Sequence, residues 1–318
     1  MSGGRWRVWI EDSGRTIGGA AAWRAIAEEL VRVAAPLHRS KHAATYRWER
    51  RDGDVYLKVY HRYRALTALK DCLRSSKARH LHRTSARLAA AGFCVPRVLA
   101  AAEERRGLVL GSAWVATAAL AGEPVGGRLA ALAAACRGAS GARREALWEK
   151  RAVLAAIGAE TARLHDAGFV AGDLVPANVW VVATPAGPCV ALLDHDRTRA
   201  WRTAAPWWRA RRNLVQLNRV VLPGVTATDR LRVYRAYAAE RGWPRALARR
   251  RLGWIVARTI ARRQRCDGVV LAPGPVDFRL LMRADGPFAP PPPGAGGRSA
   301  PGGHAGPAPG ERAGALWS

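Results

Sequence analysis

The amino-acid sequence predicts an α+β fold in two lobes: a small β-rich lobe over residues 1–121 and a helical lobe over 122–283, with a tail over 284–318. Three observations lead there. Runs with strand character crowd the first third of the chain, and helical spacing of apolar residues governs the rest. The two are not interleaved as one alternating parallel sheet would require. From Ala284 onward Pro and Gly dominate, including Pro290-Pro291-Pro292-Pro293, a composition that supports neither a packed core nor a regular ladder.

Taken in order, Trp6 to Ile10 is a short strand and Ala20 to Val33 a helix whose polar side carries Arg24, Glu28 and Glu29. Ala44 to Glu49 and Val55 to Tyr60 are β-rich runs joined by Arg50-Arg51-Asp52-Gly53, and Asp-Gly between such runs signals a hairpin. Residues 67–91 read as a helix stopped by Gly92, and Val95 to Leu99 as an edge strand, because Pro96 cannot donate to a ladder. Leu108 to Leu110 and Trp114 to Leu120 add two strands. Beyond Gly126-Gly127 the pattern turns helical over Leu129 to Cys136 and Arg144 to Ala167. The strands Val179 to Val182 and Val190 to Leu193 follow, then mostly helices to Met282. The Arg of 245–251 and 258–265 are expected on the exposed side of those late helices.

The chain carries 52 Lys+Arg against 24 Asp+Glu, a net charge of +28, with 49% hydrophobic residues, which excludes a wholly disordered polycation. The tail's charges, Asp285, Glu311, Arg298 and Arg312, cancel, so the excess belongs to residues 1–283. An excess of this size suits nucleic acid, an anionic membrane face, or phosphorylated and acidic substrates. Only Lys41, Lys58, Lys70, Lys77 and Lys150 are lysines, so a Lys inside a strand stands out. The five cysteines, Cys72, Cys94, Cys136, Cys189 and Cys266, form no Cys-x-x-Cys pair and fit small core residues in a reducing compartment. The N-terminus lacks a signal-peptide core, and the uncharged stretch Gly107 to Gly122 falls short of the ~20 apolar residues a membrane helix needs, so a cytoplasmic protein is expected.

Between the long helix and the last strand pair stands Gly172-Asp173-Leu174-Val175-Pro176-Ala177-Asn178, and after the second strand Asp194-His195-Asp196-Arg197. A carboxylate and a carboxamide five apart in a loop, then a carboxylate at a strand end, form the arrangement of kinase-like phosphotransferases. Phosphoryl transfer needs a group to orient the acceptor hydroxyl and oxygen ligands for magnesium, which takes one or two carboxylates from the protein. Asp173 suits the first role, and Asn178 and Asp194 the second. Taken singly, the same residues also suit a capped turn and a strand end. Lys58, within Val55-Tyr56-Leu57-Lys58-Val59-Tyr60, is the candidate cation for the nucleotide phosphates; on an edge strand it would instead be a solvent-facing Lys.

From about Trp6 to Met282 the chain resembles the lipopolysaccharide kinase family, the Kdo and heptose kinases of Gram-negative outer-membrane biosynthesis, small relatives of eukaryotic-type protein kinases. The resemblance is carried by Val55 to Tyr60, by Arg87-Leu88-Ala89-Ala90-Ala91-Gly92-Phe93-Cys94-Val95-Pro96-Arg97-Val98-Leu99, and by Leu164-His165-Asp166-Ala167-Gly168 leading to Asp173 and Asn178. It continues with Asp194-His195-Asp196-Arg197, close to the family's D-F-D-R, and Arg211-Arg212-Asn213-Leu214-Val215-Gln216-Leu217-Asn218-Arg219. It implies a bilobal protein-kinase-like fold, ATP and Mg²⁺ as cofactors, and a phosphorylated sugar hydroxyl as product.

Four departures stand out. Residues 40–48 contain no Gly, which leaves Ser40, Lys41 and His42 to meet phosphate through side chains. Ala171 stands where a His is usual and Val175 where protein kinases carry a Lys, which removes loop bracing and one cation. No acidic residue occurs from Cys72 to Ala102 to pair with Lys58. Asp196 follows as either a second metal ligand or a partner of Arg197.

Two stretches without acids concentrate the charge, residues 72–102 and 197–228, the second holding Trp201, Trp207 and Trp208 among its Arg. Arg197, Arg199, Arg211 and Arg212 are the candidate acceptor-binding residues. Arg with interfacial Trp suits an anionic glycolipid at the cytoplasmic face of the inner membrane, with peripheral membrane contact; Trp packed between helices is the alternative. Nucleic acid is disfavoured because no nucleic-acid motif is present. The sequence therefore predicts an ATP- and Mg²⁺-dependent kinase of a lipopolysaccharide-core or lipid-linked sugar. The rivals are a pseudokinase or nucleotide-binding scaffold, favoured by the missing Glu and Gly-rich loop, and a kinase of another small acceptor.

Overall fold

The computed structural model describes residues 5–61 and 75–289, apart from 108, 139, 186, 272, 273 and 275. Lys70, Cys72, the expected helix start at 67 and the Pro run of the tail lie outside the described residues.

The first lobe is a six-stranded antiparallel sheet. Its strands are β1 (Arg5–Ile10), β2 (His38–Arg39), β3 (Ala43–Trp48), β4 (Val55–Tyr60), β5 (Val98–Arg106) and β6 (Val109–Ala118), in the order β1-β5-β6-β4-β3-β2. A four-residue turn of helix, α1 (Asp12–Arg15), follows β1, and then α2 (Ala20–Val33) lays Trp23 and Ala27 against Tyr46, Leu57 and Trp114 on one face of the sheet. On the other face α3 (Lys77–Ala90) packs Ala78 and Leu81 against Tyr60, Val98 and Val115. Burial on both faces explains why Ala100, Ala101 and Ala102 are all fully enclosed: only small side chains let two helices approach one sheet so closely.

That packing corrects two strand expectations. The segment expected as an edge strand at Val95 to Leu99 enters β5, which runs between β1 and β6 inside the sheet. Its alanines and its Glu103 and Glu104, paired with Arg105 and Arg106, carry no strand signal in sequence. The two short strands expected over 108–120 are one, β6. Lys58 likewise sits on an interior strand, since β4 lies between β3 and β6, and the edge-strand alternative falls.

The chain leaves this sheet after Ala118 and joins a second, three-stranded one through β7 (Glu123–Pro124), which pairs with β9 (Val179–Thr184), itself in a hairpin with β10 (Gly187–Leu192). Helices α4 (Val125–Ala135) and α5 (Ser140–Asp166) precede the hairpin, and α6 (Trp207–Arg219), α7 (Ala227–Glu240), α8 (Arg245–Asp267) and the short α9 (Phe278–Leu281) follow it. Close approach of α7 to α5 depends on Gly158, where a Cβ would stand 2.2 Å from the Val233 carbonyl oxygen. Lys150 ties the same two helices, donating at 2.7 Å to both Asp229 and the Gly224 carbonyl.

The late arginines are not all on an exposed side. Arg263 is buried, donating to the Leu281 and Phe288 carbonyls, and Arg251 lies over the rings of Trp207 and Trp243. A flat, weakly hydrated guanidinium can be enclosed by carbonyls and indoles where an ammonium could not.

Candidate active site

One cleft of about 430 Å³ opens between the lobes, lined among others by Ser40, His42, Lys58, Lys77, Asp173, Asn178, Asp194, Asp196 and Arg197. Five separate segments supply them, α3 among them with Lys77. The β2–β3 turn brings Ser40 and His42, β4 brings Lys58, the loop after β8 (Phe169–Val170) brings Asp173 and Asn178, and the turn after β10 brings Asp194 to Arg197.

Lys58 Nζ stands 2.5 Å from Asp194 Oδ1 and 3.7 Å from Asp196 Oδ2. The acid that α3 lacks is thus replaced by the two carboxylates of the Asp-His-Asp-Arg turn. Asp194 is the single described non-glycine residue with positive φ, at φ 57° and ψ 64°, a left-handed conformation that turns its carboxylate back toward Lys58. Burial, and after it the negative charge of Asp194, hold the Asp196 carboxyl above the usual Asp range, while Lys58, Lys77 and Arg197 pull the other way. Asp196 is 10% exposed and 3.7 Å from Lys58, so it belongs to the carboxylate pair about that lysine. Lys77, at the first turn of α3, was not singled out in sequence; its Nζ and that of Lys58 both lie within 6 Å of the Tyr60 ring, at 5.8 and 5.5 Å. Burial, then Lys77, Lys41 and Arg197, lower the His42 imidazole's affinity for a proton.

His195 is buried, and because Leu192 offers only a carbonyl at 2.8 Å, its Nε2 carries the proton. On α3, His80 Nε2 reaches the Thr198 carbonyl at 2.7 Å, latching the first-lobe helix to this turn without an acid. The catalytic-type loop packs directly on the turn: a Cβ at Gly172 would stand 2.2 Å from the Arg197 Cβ. The two-residue ladder of β8 with β11 (Arg199–Ala200) holds the segments together.

The loop bracing that Ala171 was expected to remove is supplied from α6. Asn213 accepts from the Ala171 N–H (3.0 Å) and donates to its carbonyl (2.8 Å), and Gln216 donates to Asp173 Oδ1 at 3.1 Å. Arg212 adds a bond to the Gly172 carbonyl at 3.1 Å, and Asn178 Nδ2 donates to the Asp173 carbonyl at 3.0 Å. Asn213 and Gln216 escaped the sequence reading as site residues, although their spacing of three on an otherwise apolar helix face was the available signal.

Other expected residues are placed differently. Ser40 Oγ accepts from the His42 and Ala43 N–H groups and so shapes its own turn, and Lys41 is exposed there but does not line the cleft. Of the four candidate arginines the cleft holds Arg197; Arg199 is exposed on β11, Arg212 braces the loop, and Arg211 stacks over Trp254 at 4.5 Å. Trp207, half-buried, packs between Trp243 and Trp254, which favours helix packing for that residue, whereas Trp208 is 58% exposed with Arg209 held between it and Trp201.

The family model described as lipopolysaccharide kinase (Kdo/WaaP) matches residues 34–237. The chain belongs to this family. It is therefore a kinase, an ATP-using phosphotransferase whose acceptors are sugars of lipopolysaccharide type. Among solved structures, a chain described as WaaP in complex with acyl carrier protein matches with a TM-score of 0.56 at 19% identity, covering 80% of this chain and 98% of that one. At that identity the likeness establishes the bilobal kinase-like fold alone. No curated protein sequence matches the chain. In this family member no helix among the described residues is long and apolar enough to cross a membrane.

The buried histidines make a pH dependence. Burial pushes both His165 and His195 from about 6.5 down to about 4. Between those values the unfolded chain binds protons that the native kinase does not. Their neutral burial therefore stabilises fully above pH 6.5, and stability falls as pH drops toward 4, by up to ~1.4 kcal/mol per pH unit for each. Unfolding at pH 5.5 is expected to take up protons that unfolding at pH 8 does not, and equal uptake at the two would reject the effect.

Proposed function

We propose that this chain transfers the γ-phosphoryl group of ATP to a sugar hydroxyl of lipopolysaccharide core or a related lipid-linked glycan. The observation that carries the reading is the convergence of Lys58, Asp173, Asn178, Asp194 and Asp196 on one cleft from separate parts of the chain. In this reading Asp173 accepts the proton of the attacking hydroxyl, and Lys58 leaves its carboxylates to hold the nucleotide phosphates, with Ser40 and His42 of the β2–β3 turn lining the same cleft. The oxygens of Asn178, Asp194 and Asp196 form a hard donor set that fits Mg²⁺. Bound there, the metal would neutralise the charge developing on the phosphates. Residues 1–121 then serve as the nucleotide lobe and 122–283 as the lobe for acceptor and metal.

Arg197, Arg199 and Arg212 meet the acceptor's anionic groups, and the exposed Trp208 with Arg202 and Arg209 rests on the inner-membrane surface. ADP release is the test, with dephosphorylated lipopolysaccharide core lipid presented in phosphatidylglycerol or phosphatidylcholine vesicles. Acceptor-dependent release, faster on the anionic vesicles, is expected. Mg-ATP binding without turnover on either would instead identify a nucleotide-binding scaffold.

A second reading rests on an apolar cavity of about 230 Å³ in the second lobe, walled by Leu129, Leu154, Leu217, Leu231, Val233 and Ile255. We infer that this chain, like the WaaP chain it resembles, docks an acyl carrier protein, with the cavity taking the carried acyl chain. A thermal shift with acylated carrier protein and none with the unloaded form is expected; equal shifts would remove the cavity from the interaction.

A further inference from the structure

Behind Asp173 runs a line of four side-chain hydrogen bonds. Tyr237 OH lies 2.9 Å from His165 Nδ1, His165 Nε2 3.1 Å from Asn213 Oδ1, Asn213 Nδ2 2.8 Å from Gln216 Oε1, and Gln216 Nε2 3.1 Å from Asp173 Oδ1. Their direction is fixed by chemistry. Asn213 Oδ1 already accepts from the Ala171 N–H and can only accept, so His165 carries its proton on Nε2. Nδ1 is then an acceptor, and the Tyr237 hydroxyl donates to it. Gln216 Oε1 accepts from the Leu174 N–H at 3.3 Å as well as from Asn213, while its Nε2 meets two acceptors, Asp173 Oδ1 and the Gly172 carbonyl at 3.3 Å. A flipped amide would set donor against donor and acceptor against acceptor at once. Tyr237, His165 and Asn213 are all fully buried, Gln216 is 9% exposed, and His165 stays neutral at working pH, so every link holds one sense.

We propose that Gln216 is a positioning residue for phosphoryl transfer, fixing the Asp173 carboxylate by occupying Oδ1 and leaving Oδ2 to receive the acceptor hydroxyl. This rests on the reading of Asp173 as the residue that takes that proton. Four aligned donors polarise one another toward a single carboxylate oxygen. The anchor is rigid because it is built into the α5, α6 and α7 helices and not into the loop. The device replaces the loop's own histidine: Ala171 has no side chain to brace with, and α6 reaches across to do it.

The experiment compares Gln216→Glu and Gln216→Leu with the wild-type full chain, measuring ADP release on lipopolysaccharide core lipid, the pH profile of kcat/KM, and Mg-ATP binding by thermal shift. Gln216→Glu sets a second carboxylate against Asp173, so the acid limb of its profile is expected to move to higher pH, because like charges disfavour ionisation. kcat should fall about tenfold to a hundredfold in both variants, with the KM for ATP and the ATP-dependent thermal shift unchanged. A lowered melting temperature alone, with wild-type kcat and an unmoved acid limb in Gln216→Glu, would overturn the proposal. Asp173→Asn separates the two ideas: if it is inactive while both Gln216 variants are normal, the positioning role fails alone. If Asp173→Asn is itself fully active, the reading of Asp173 fails.

Discussion

Asp173→Asn is expected to lower kcat on a lipopolysaccharide-core acceptor by about 10²–10⁴-fold, the usual contribution of a positioned general base. Asp173 is exposed at the cleft and carries no packing load, so the variant should melt within a few degrees of wild type, and Lys58, Asp194 and Asp196 remain to bind nucleotide. The Gln216 amide can still donate to the Asn oxygen, so the loop should keep its shape while losing the group that takes the proton. Steady-state ADP release together with a Mg-ATP thermal shift checks this. Turnover within tenfold of wild type would reject Asp173 as the acceptor-side base.

The largest stability effect is expected at Lys150→Met. Lys150 and Asp229 are 9% and 5% exposed, and their 2.7 Å pair closes α5 against α7, with Asp229 also forming the Thr226 capping box and meeting Arg232. Burial by itself would raise the Asp229 carboxyl, but the bonds from Lys150 and Thr226 outweigh it and hold the group below the ordinary Asp range. Removing only the lysine leaves a buried carboxylate short of its main partner, which costs ~3–5 kcal/mol. In a chain of this size that corresponds to a melting temperature lower by on the order of 10 °C. The sign of the pH dependence follows. A carboxyl depressed in the native state contributes stability above its unfolded value, near 3.9, and loses it as pH falls through the folded one. The gap between wild type and Lys150→Met should therefore narrow in acid, where a protonated Asp229 no longer needs the lysine. Melting curves at pH 7 and below pH 3 decide it, and a gap that stays constant would show that lost packing, not charge, sets the cost.

Part of this kinase was legible in the residues alone. Strand β4 and helix α2 were readable because a β-rich run after the Asp52-Gly53 turn and a helical polar side of Arg24, Glu28 and Glu29 are both local signals. Residue type and spacing marked Asp173, Asn178 and Asp194 as a set, and the structure brings all three to one cleft. Strand β5 was not: its Ala100 to Ala102 are chosen by two helices closing on the sheet from opposite sides, a pressure that no local window contains. The same holds for Trp207, for which a run of Arg suits a surface anchor and packing between helices alike, and which packs between two other indoles.

The sequence by itself determined the α+β fold class, with a β-rich first third before a helical remainder, and the family, since periodicity and motif spacing are local properties of a chain. Only the tertiary structure decided what answers the departures from the pattern. The missing acid of α3 is met by Asp194, 136 positions beyond Lys58, and by Asp196 of the same turn, and the missing loop histidine by Asn213 and Gln216 from a helix some 40 positions away. The physical reason is that a charge or a hydrogen bond is satisfied by proximity in space, whichever segment provides it.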